Sequence, residues 1–463
     1  MASGLEMRFE RYAETMIQAL GHAGRAVPAR WYLRGLMLPG SRKSVEPMAA
    51  RVHPQEVRSA HQSMHHLVAD SDWNDGALLA AVAREVVPAL TASGQEPCYW
   101  IKNDTGHRKY GRHSVGVARQ YCGQFRKVDN CQVAVSLSVA TAQGSLPLSY
   151  QLYLPEEWAQ DKARCQSAGV PRGIPFATKD ETARMQIDAA LAAGTPRGPV
   201  LIDAAYGDEA ALRDWLSARK LVYAAGIRPA TAVWYDELQP APVPVKLGRD
   251  RPRTWLLRDE THTPISVKAL AEALPRSSYR TLTWREGTNT PLRSRFARVR
   301  LCAAHANRPR PEEWLLIEWP TGEAEPTRYF LSTLPADTSF KALVAVVKMR
   351  WRIERDYREL QQEVGLGHYE GRNWRGFHHH ASLCIAAYGF LMLERLSGVK
   401  KTLLDLKRLP YPKASARAGL SPMQRHVPWF IATARYRLGR AIARSLPLCP
   451  CCARSFTRNP KHS

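Results

Sequence analysis

At Pro97 the chain changes its hydrophobic period, and no other feature limits the fold as much. Residues 1 to 95 carry apolar residues at helical spacing, as in Glu6 to His22 and Pro54 to Val68, with breaks at Pro39, Gly40 and Pro54. Beyond Pro97 the apolar, β-branched and aromatic residues gather into runs separated by polar loops: CYWIKNDTG, NCQVAVSLSVAT and PLSYQLYLP. Such runs read as consecutive strands. A helical segment follows at about Lys179 to Ala193, then a short buried strand in GPVLIDAAYGD, with Asp203 directly after its apolar residues. The helix Asp208 to Arg219 and the strand LVYAAGI complete an α/β unit. Polar chemistry in such a unit belongs at the strand ends.

The pattern changes again after residue 228. Pro229, Pro240, Pro242, Pro244 and Pro252 break the start, and FARVRLCAA, EEWLLIEWP and TRYFLSTLP read as strands of a β-rich insertion. One long helix is then expected, capped by Asp337 or Thr338 and stopped at Gly365. The apolar stretch Leu383 to Leu393 is too short to span a bilayer and reads as a buried helix. A chain of 463 residues exceeds one ordinary core. The expected division is 1–95, helical; 96–228, first part of an α/β core; 229–335, insertion; 336–398, second part of the core; 399–463, basic tail.

Charge narrows the partner. Against 42 Asp and Glu stand 66 Lys and Arg, a net +24, which favours a polyanion, nucleic acid before anionic membrane. Residues 400 to 463 hold fourteen basic side chains and Asp405 as their one acid, so this end is the strongest candidate for a DNA backbone contact. Cys98, Cys122, Cys131, Cys165, Cys302 and Cys384 are dispersed, and MASGLEMRFERY lacks the apolar run of a signal peptide; reduced thiols and the cytoplasm are expected.

The segment RWRIERDYRELQQEVGLGHYEGR, Arg350 to Arg372, reads as part of that long helix. Glu354 has Arg350 four residues before it and Arg358 four after, so a continuous helix puts all three on one face. That arrangement suits a site where a metal ion meets nucleic-acid phosphate, and equally a solvated face with two salt bridges. Two-metal phosphodiester chemistry needs carboxylates converging from separate elements on ions about 3.5 to 4 Å apart. The candidates are the strand end Asn103-Asp104, the strand end at Asp203, and Glu354, the strand, strand, helix order of a ribonuclease H-like core. Asn103 and Asp104 point to opposite faces of a strand.

Other candidates carry ordinary readings as well. His378, His379 and His380 diverge by about 100° each on a helix and cannot converge on one ion; a polar first turn with one partly buried ring is expected. Cys449, Cys451 and Cys452 would need His462 to reach four zinc ligands. Trp351 and Trp374 suit base stacking or core packing; Ser41 to Ser44, Lys109, Arg112 and His113 suit phosphate or solvent. Asp129 reads as a strand-start residue, Asp208 as a helix cap, and Glu363 and Glu370 as surface or helix-end residues.

Five segments carry a family likeness: KNDTGHRKYGRHSVGVARQYCG, NCQVAVSLSVA, LYLPEEWA, VLIDAAYGD and RWRIERDYRELQQEVGLGHYEGRNWRGFHHHASLCIAAYGF. Over roughly residues 8 to 395 the chain resembles the DDE-superfamily transposases of bacterial insertion sequences. The resemblance implies an α/β, ribonuclease H-like catalytic core with a β-rich insertion, a helical N-terminal domain and a basic C-terminal tail. It implies cleavage and strand transfer of double-stranded DNA, at element ends and target, with Mg2+ or its substitute Mn2+. Asp203 matches the family's second Asp and Glu354 its Glu, with Asn103 or Asp104 completing the metal site and Arg350 and Arg358 meeting DNA phosphate. A homodimeric synapse, no membrane partner and a bacterial cytoplasmic, nucleoid-associated location follow from the same likeness.

The chain departs from the family at Asn103, where relatives read Asp-Asp-Thr-Gly, at Gln361, where they carry Lys, and at Val347, where some carry Tyr. An amide at residue 103 keeps one carbonyl ligand and loses the bridging charge, so cleavage is expected to be strongly impaired. A catalytically degenerate remnant that still binds DNA is the alternative.

Overall fold

The structure, a computed structural model, describes residues 4–92, 98–123, 127–236, 238, 262–285, 292–305, 310–405, 430–450 and 453. Helices open the chain: α1 (Gly4–Gln18), α2 (Ala26–Met37), α3 (Val45–Val52), α4 (Val57–Ala69) and α5 (Asp75–Thr91). Strands β1 (Tyr99–Arg108), β2 (Ala118–Cys122), β3 (Lys127–Ala140) and β4 (Ser145–Leu152) follow. Then come α6 (Glu156–Gln160), α7 (Lys162–Ser167), α8 (Lys179–Ala192), β5 (Val200–Ile202), α9 (Ala204–Gly207), α10 (Ala210–Ala218), β6 (Tyr223–Ile227) and β7 (Ala232–Trp234). The insertion adds β8 (Ile265–Ser266), α11 (Val267–Ala273), β9 (Arg280–Arg285), β10 (Leu292–Ala303), β11 (Glu313–Pro320) and β12 (Arg328–Ser332). Last are α12 (Phe340–Lys348), α13 (Trp351–Val364), α14 (Trp374–Asp405) and α15 (Ile431–Ser445). This is the mixed α/β class that the ribonuclease H-like reading requires.

Local chemistry sets many of these boundaries. Asn74 caps α5 by accepting from the Ala77 N–H, and Thr178 and Glu181 form a reciprocal capping box on α8. Ser339 accepts from the Ala342 N–H and caps α12, one residue beyond the expected Thr338. Gly365, at φ 74°, ends α13 in the left-handed conformation that glycine adopts without strain.

The chain folds as two compact units. One comprises Met1–Glu96, Asp104–Thr195 and Arg352–Ser463; the other comprises Pro97–Asn103 and Pro196–Trp351. Within the first, β2, β3 and β4 pair antiparallel, with Ala118 opposite Cys131 and Ala134 opposite Leu152. Helix α14 packs on α5, α2, α4 and β4, and its stretch Leu383 to Met392 is apolar and buried on all sides, as a central helix must be. Tyr12 Oη donates to the Ala386 carbonyl from α1 at 2.9 Å, satisfying a buried hydroxyl.

His378, His379 and His380 open this helix, and all three are buried, where one partly buried ring was expected. They diverge as the helical geometry requires. His378 Nε2 accepts from the Leu152 N–H, His379 lies between the carbonyls of Val68 and Trp73, and His380 Nε2 donates to the Gly365 carbonyl. The tertiary packing of α14 against its neighbours overrides the solvated reading.

Burial, reinforced by the charges of Lys109 and His380, pushes His107 down to about 3. Burial likewise pushes His380 down to about 4, against the bond to Gly365. Both rings stay neutral in the fold while the unfolded chain protonates near the ordinary value of 6.5. Their contribution is therefore complete above that value and lost as pH falls toward 4, by up to about 1.4 kcal/mol per pH unit for each ring. Urea midpoints measured between about pH 7.5 and 5 should drop steadily below about pH 6.5; midpoints that stay level across this range would contradict neutral burial.

In the second unit β1, β5 and β6 run parallel, with Trp100 beside Val200 and Val200 beside Tyr223. Strand β6 then pairs antiparallel with β12, β12 with β11, β11 with β10, and β10 with both β7 and β9. The insertion thus extends the sheet begun by the core strands. Beneath it Glu318, 1 % exposed, accepts two hydrogen bonds from Lys348 Nζ at 2.8 and 2.9 Å and one from Ser294 Oγ at 2.9 Å. These bonds compensate the desolvation of a buried carboxylate.

Candidate active site

Strand β5 is three buried residues, Val200, Leu201 and Ile202, and it delivers Asp203 at its C-terminal end. The Asp203 carbonyl accepts from the Tyr206 and Gly207 N–H groups and starts α9, while its carboxylate caps nothing. Strands β1 and β5 pair in parallel through Trp100 with Val200 and Ile101 with Leu201; Asn103 and Asp203 each follow two residues on, Asn103 inside β1 and Asp203 just past the end of β5.

Glycine makes this corner tight. A Cβ on Gly207 would lie 2.0 Å from the Gly226 carbonyl, and one on Gly226 would lie 2.9 Å from the Ala204 nitrogen. Helix α9 therefore rests directly on β6, and the position of Asp203 is held by backbone contact.

Arg350 ties β1 to the end of β5. Its Nη1 donates to the Lys102 carbonyl at 2.9 Å, and its Nη2 pairs with Asp203 Oδ2 at 3.2 Å. The other oxygen, Oδ1, is buried and has no hydrogen-bond partner. Lys102, 1 % exposed, sets its ammonium 2.6 Å from the Tyr206 ring centroid, a cation–π contact the sequence reading missed. Its only signal was a lysine inside the apolar run YWIK. Trp351 carries the Arg285 guanidinium 3.8 Å above its ring.

The other candidates belong to the first unit. Asp104 is engaged by Lys179 Nζ at 3.1 Å. Glu354 and Arg358 lie exposed on α13, with no ion pair among the described residues. The long helix expected here is two helices, α12 and α13, and Arg350 sits in the turn between them. Arg350 therefore stands outside the helix, and only Glu354 and Arg358, four residues apart on α13, keep the expected common face. The pair that does form is two residues on. Arg352 Nε donates to Asp356 Oδ2 at 3.1 Å, and Ser145 Oγ donates to the same oxygen at 2.6 Å. Asp356 is 0 % exposed and Arg352 2 %.

Several secondary candidates have structural partners. Asp208 pairs with Arg228 and accepts from Thr231 Oγ1 instead of capping α10, whose cap position is Glu209. Asp129 pairs with Arg108, Arg42 with Glu370, and Glu363 with Arg435. Lys109 donates to the Tyr369 carbonyl, and burial lowers its ammonium from the ordinary range. Lys43 is buried and Ser44 occupies the cap position of α3 without a side-chain bond. Arg112 and His113 are exposed. Trp374 packs on His378 at 4.4 Å and is 8 % exposed. Cys449 is partly buried, while Cys451, Cys452 and His462 lie outside the described residues.

Among the described residues no three His, Cys, Asp or Glu side chains form a group that could hold a metal ion. The orphaned Oδ1 of Asp203 is nonetheless an anionic oxygen in want of a partner, and Asn103, on the strand paired with β5, carries an amide oxygen of the same hard class. Those donors fit one hard divalent cation; the second bridging charge that a pair of ions needs is lacking at residue 103. No helix of the described residues is long and apolar enough to cross a membrane.

Residues 15–291 match the family described as DDE superfamily endonuclease, a span that includes Asn103, Asp104 and Asp203 and stops short of Glu354. Over 147 residues the chain is 29 % identical to the "Probable transposase for insertion sequence element IS701" of Microchaete diplosiphon. The match covers 32 % of this chain and 35 % of that relative, so it spans about a third of the relative's length.

Proposed function

We propose, because the chain belongs to the DDE superfamily of endonucleases, that it is an insertion-sequence transposase cutting and joining double-stranded DNA in a divalent-metal-dependent reaction. The observation that carries this reading is Asp203. It stands at the end of a strand that pairs in parallel with β1, with one carboxylate oxygen buried and unpartnered. The IS701 relative supports the transposase assignment.

Asp203 and Glu354 would hold Mg2+, or Mn2+, with the Asn103 carbonyl or Asp104 completing the set. Bound metal supplies charge neutralisation at the scissile phosphate and activation of the attacking oxygen. In the overall reaction water attacks phosphorus and the P–O3′ bond breaks; the freed 3′-hydroxyl then attacks a target phosphodiester, whose own P–O3′ bond breaks and leaves a target 3′-hydroxyl. Asp104 would first have to leave Lys179. Arg350 neutralises Asp203 in the free chain; with that charge otherwise compensated, its guanidinium would turn to a DNA phosphate, and Arg358 would meet another. The helical segment 1–95 and the basic tail 399–463 would bind element ends in a homodimeric synapse, in the nucleoid of a bacterial cytoplasm.

A second reading, a catalytically degenerate remnant that binds DNA without cutting it, is favoured by the amide at Asn103 and by the Arg350 ion pair on Asp203. Nicking of supercoiled plasmid with Mg2+ or Mn2+ separates the two. Slow nicking by the unaltered chain, lost in Asp203→Asn and in Glu354→Gln, is the expected outcome. Nicking that persists in both variants overturns the assignment; none in any of the three supports the remnant.

A further inference from the structure

The C-terminal helix α15 has two unlike faces. Ile431, Leu438 and Ile442 are 0 % exposed and Ala434 is 8 % exposed, an apolar stripe at helical spacing. This face is firmly docked. Arg435 Nε donates to Glu363 Oε2 at 2.6 Å, and Ser445 Oγ donates to the buried Glu6 at 2.6 Å. A Cβ on Gly439 would lie 2.9 Å from the Met37 carbonyl, so the helix meets the end of α2 at backbone distance.

The solvent face presents Arg437, Arg440 and Arg444, all exposed, with Tyr436 57 % exposed beside them. They line a groove of about 450 Å³ that also includes Leu5. None of the three has an ion pair among the described residues, whereas Arg8, Arg30, Arg34, Arg352 and Arg435 of the same unit each have one. The helix contains no Asp or Glu to neutralise them. A merely solvated helix face ordinarily mixes both signs.

We propose that the exposed face of α15 is a sequence-independent contact for the DNA phosphate backbone, Arg437, Arg440 and Arg444 each neutralising one phosphate. The proposal rests on the DNA-acting reading above and names the element that carries it. At about 1.5 Å per residue the three guanidinium groups spread over roughly 10 Å of helix, and a DNA strand offers one phosphate per about 3.4 Å of its axis. Guanidinium forks match phosphate oxygens in pairs. A membrane surface would need the apolar stripe for insertion, and that stripe is already buried in the fold.

The test uses the full chain in EDTA, with fluorescence anisotropy of two labelled duplexes of unrelated sequence titrated across a range of salt. Each phosphate contact contributes about 0.9 to the slope of log K against log salt. Arg437→Gln/Arg440→Gln/Arg444→Gln should therefore flatten that slope by about 2.7, equally on both duplexes. Should the triple variant fail to fold by circular dichroism, the single variants are each expected to flatten it by about 0.9. An unchanged slope in variants that bind overturns the proposal, as does an effect confined to one duplex. So does arginine-dependent binding to phosphatidylserine–phosphatidylcholine vesicles without an effect on DNA. If the unaltered chain binds neither duplex at any salt, the DNA-acting reading itself has failed.

Discussion

The Asn103→Asp variant is expected to nick supercoiled plasmid roughly tenfold faster or more than the unaltered chain, because carboxylates merely supporting metal ligands already change affinity or activity about ten- to hundredfold. The substitution is close to isosteric. It places a second carboxylate on the strand paired with that of Asp203, whose Oδ1 lacks a partner and whose Oδ2 is neutralised by Arg350. Two carboxylates on neighbouring strands attract a divalent cation that one carboxylate and one amide hold weakly. A second readout is independent of catalysis. Mg2+ should raise the melting temperature of the variant more than that of the unaltered chain, since binding at a hundred times Kd stabilises by about 2.7 kcal/mol. Equal nicking and equal Mg2+ shifts in the two proteins would show that residue 103 does not limit the site.

Asp356→Ala should destabilise the first unit by about 3–5 kcal/mol, a large share of the total stability of an ordinary domain. The change removes the counter-ion of Arg352, which is 2 % exposed and cannot recover its hydration without unfolding. It also strands the Ser145 hydroxyl. The companion substitution Arg352→Met/Asp356→Leu replaces both charges with hydrocarbon and should cost much less, since the penalty comes from leaving one charge alone. Urea denaturation followed by circular dichroism checks both. A double variant as unstable as the single one would mean that the pair is valued for something other than its charges.

These two residues also show where sequence reading stops. Within RWRIERDYREL, Arg350 and Glu354 stand at the same spacing as Arg352 and Asp356, so the pattern offered two equivalent ion pairs. The helix starts at Trp351, which removes Arg350 from it and leaves the second pair to form in the core. Glu354 and Asp356 lie about 200° apart around the helix axis, hence one is exposed and the other fully buried. Strand β2 was absent from the reading because ARQYC holds too few apolar residues; its pairing with β3 creates it. The histidine triplet had the signature of a solvated turn until α4, β4 and the Trp73 loop closed over it.

What the sequence determined by itself is local. The helical spacing before Pro97, the apolar runs of β1, β3, β4, β5, β6 and β10 to β12, and the polar residue 203 at a strand end all follow from the two side-chain periods that covalent geometry allows. Asn103, expected at a strand end, instead lies inside β1, which runs on to Arg108. The end of β5, with the family likeness, put Asp203 forward as a candidate. Only the tertiary structure decided partners: Arg350 on Asp203, Lys179 on Asp104, Asp356 on Arg352, and a basic α15 docked by its apolar face with three arginines left outward. The reason is physical. A period is written in a few consecutive residues, but which charge meets which depends on contacts between segments hundreds of residues apart, and desolvation in the assembled core selects among pairs that are equivalent along the chain.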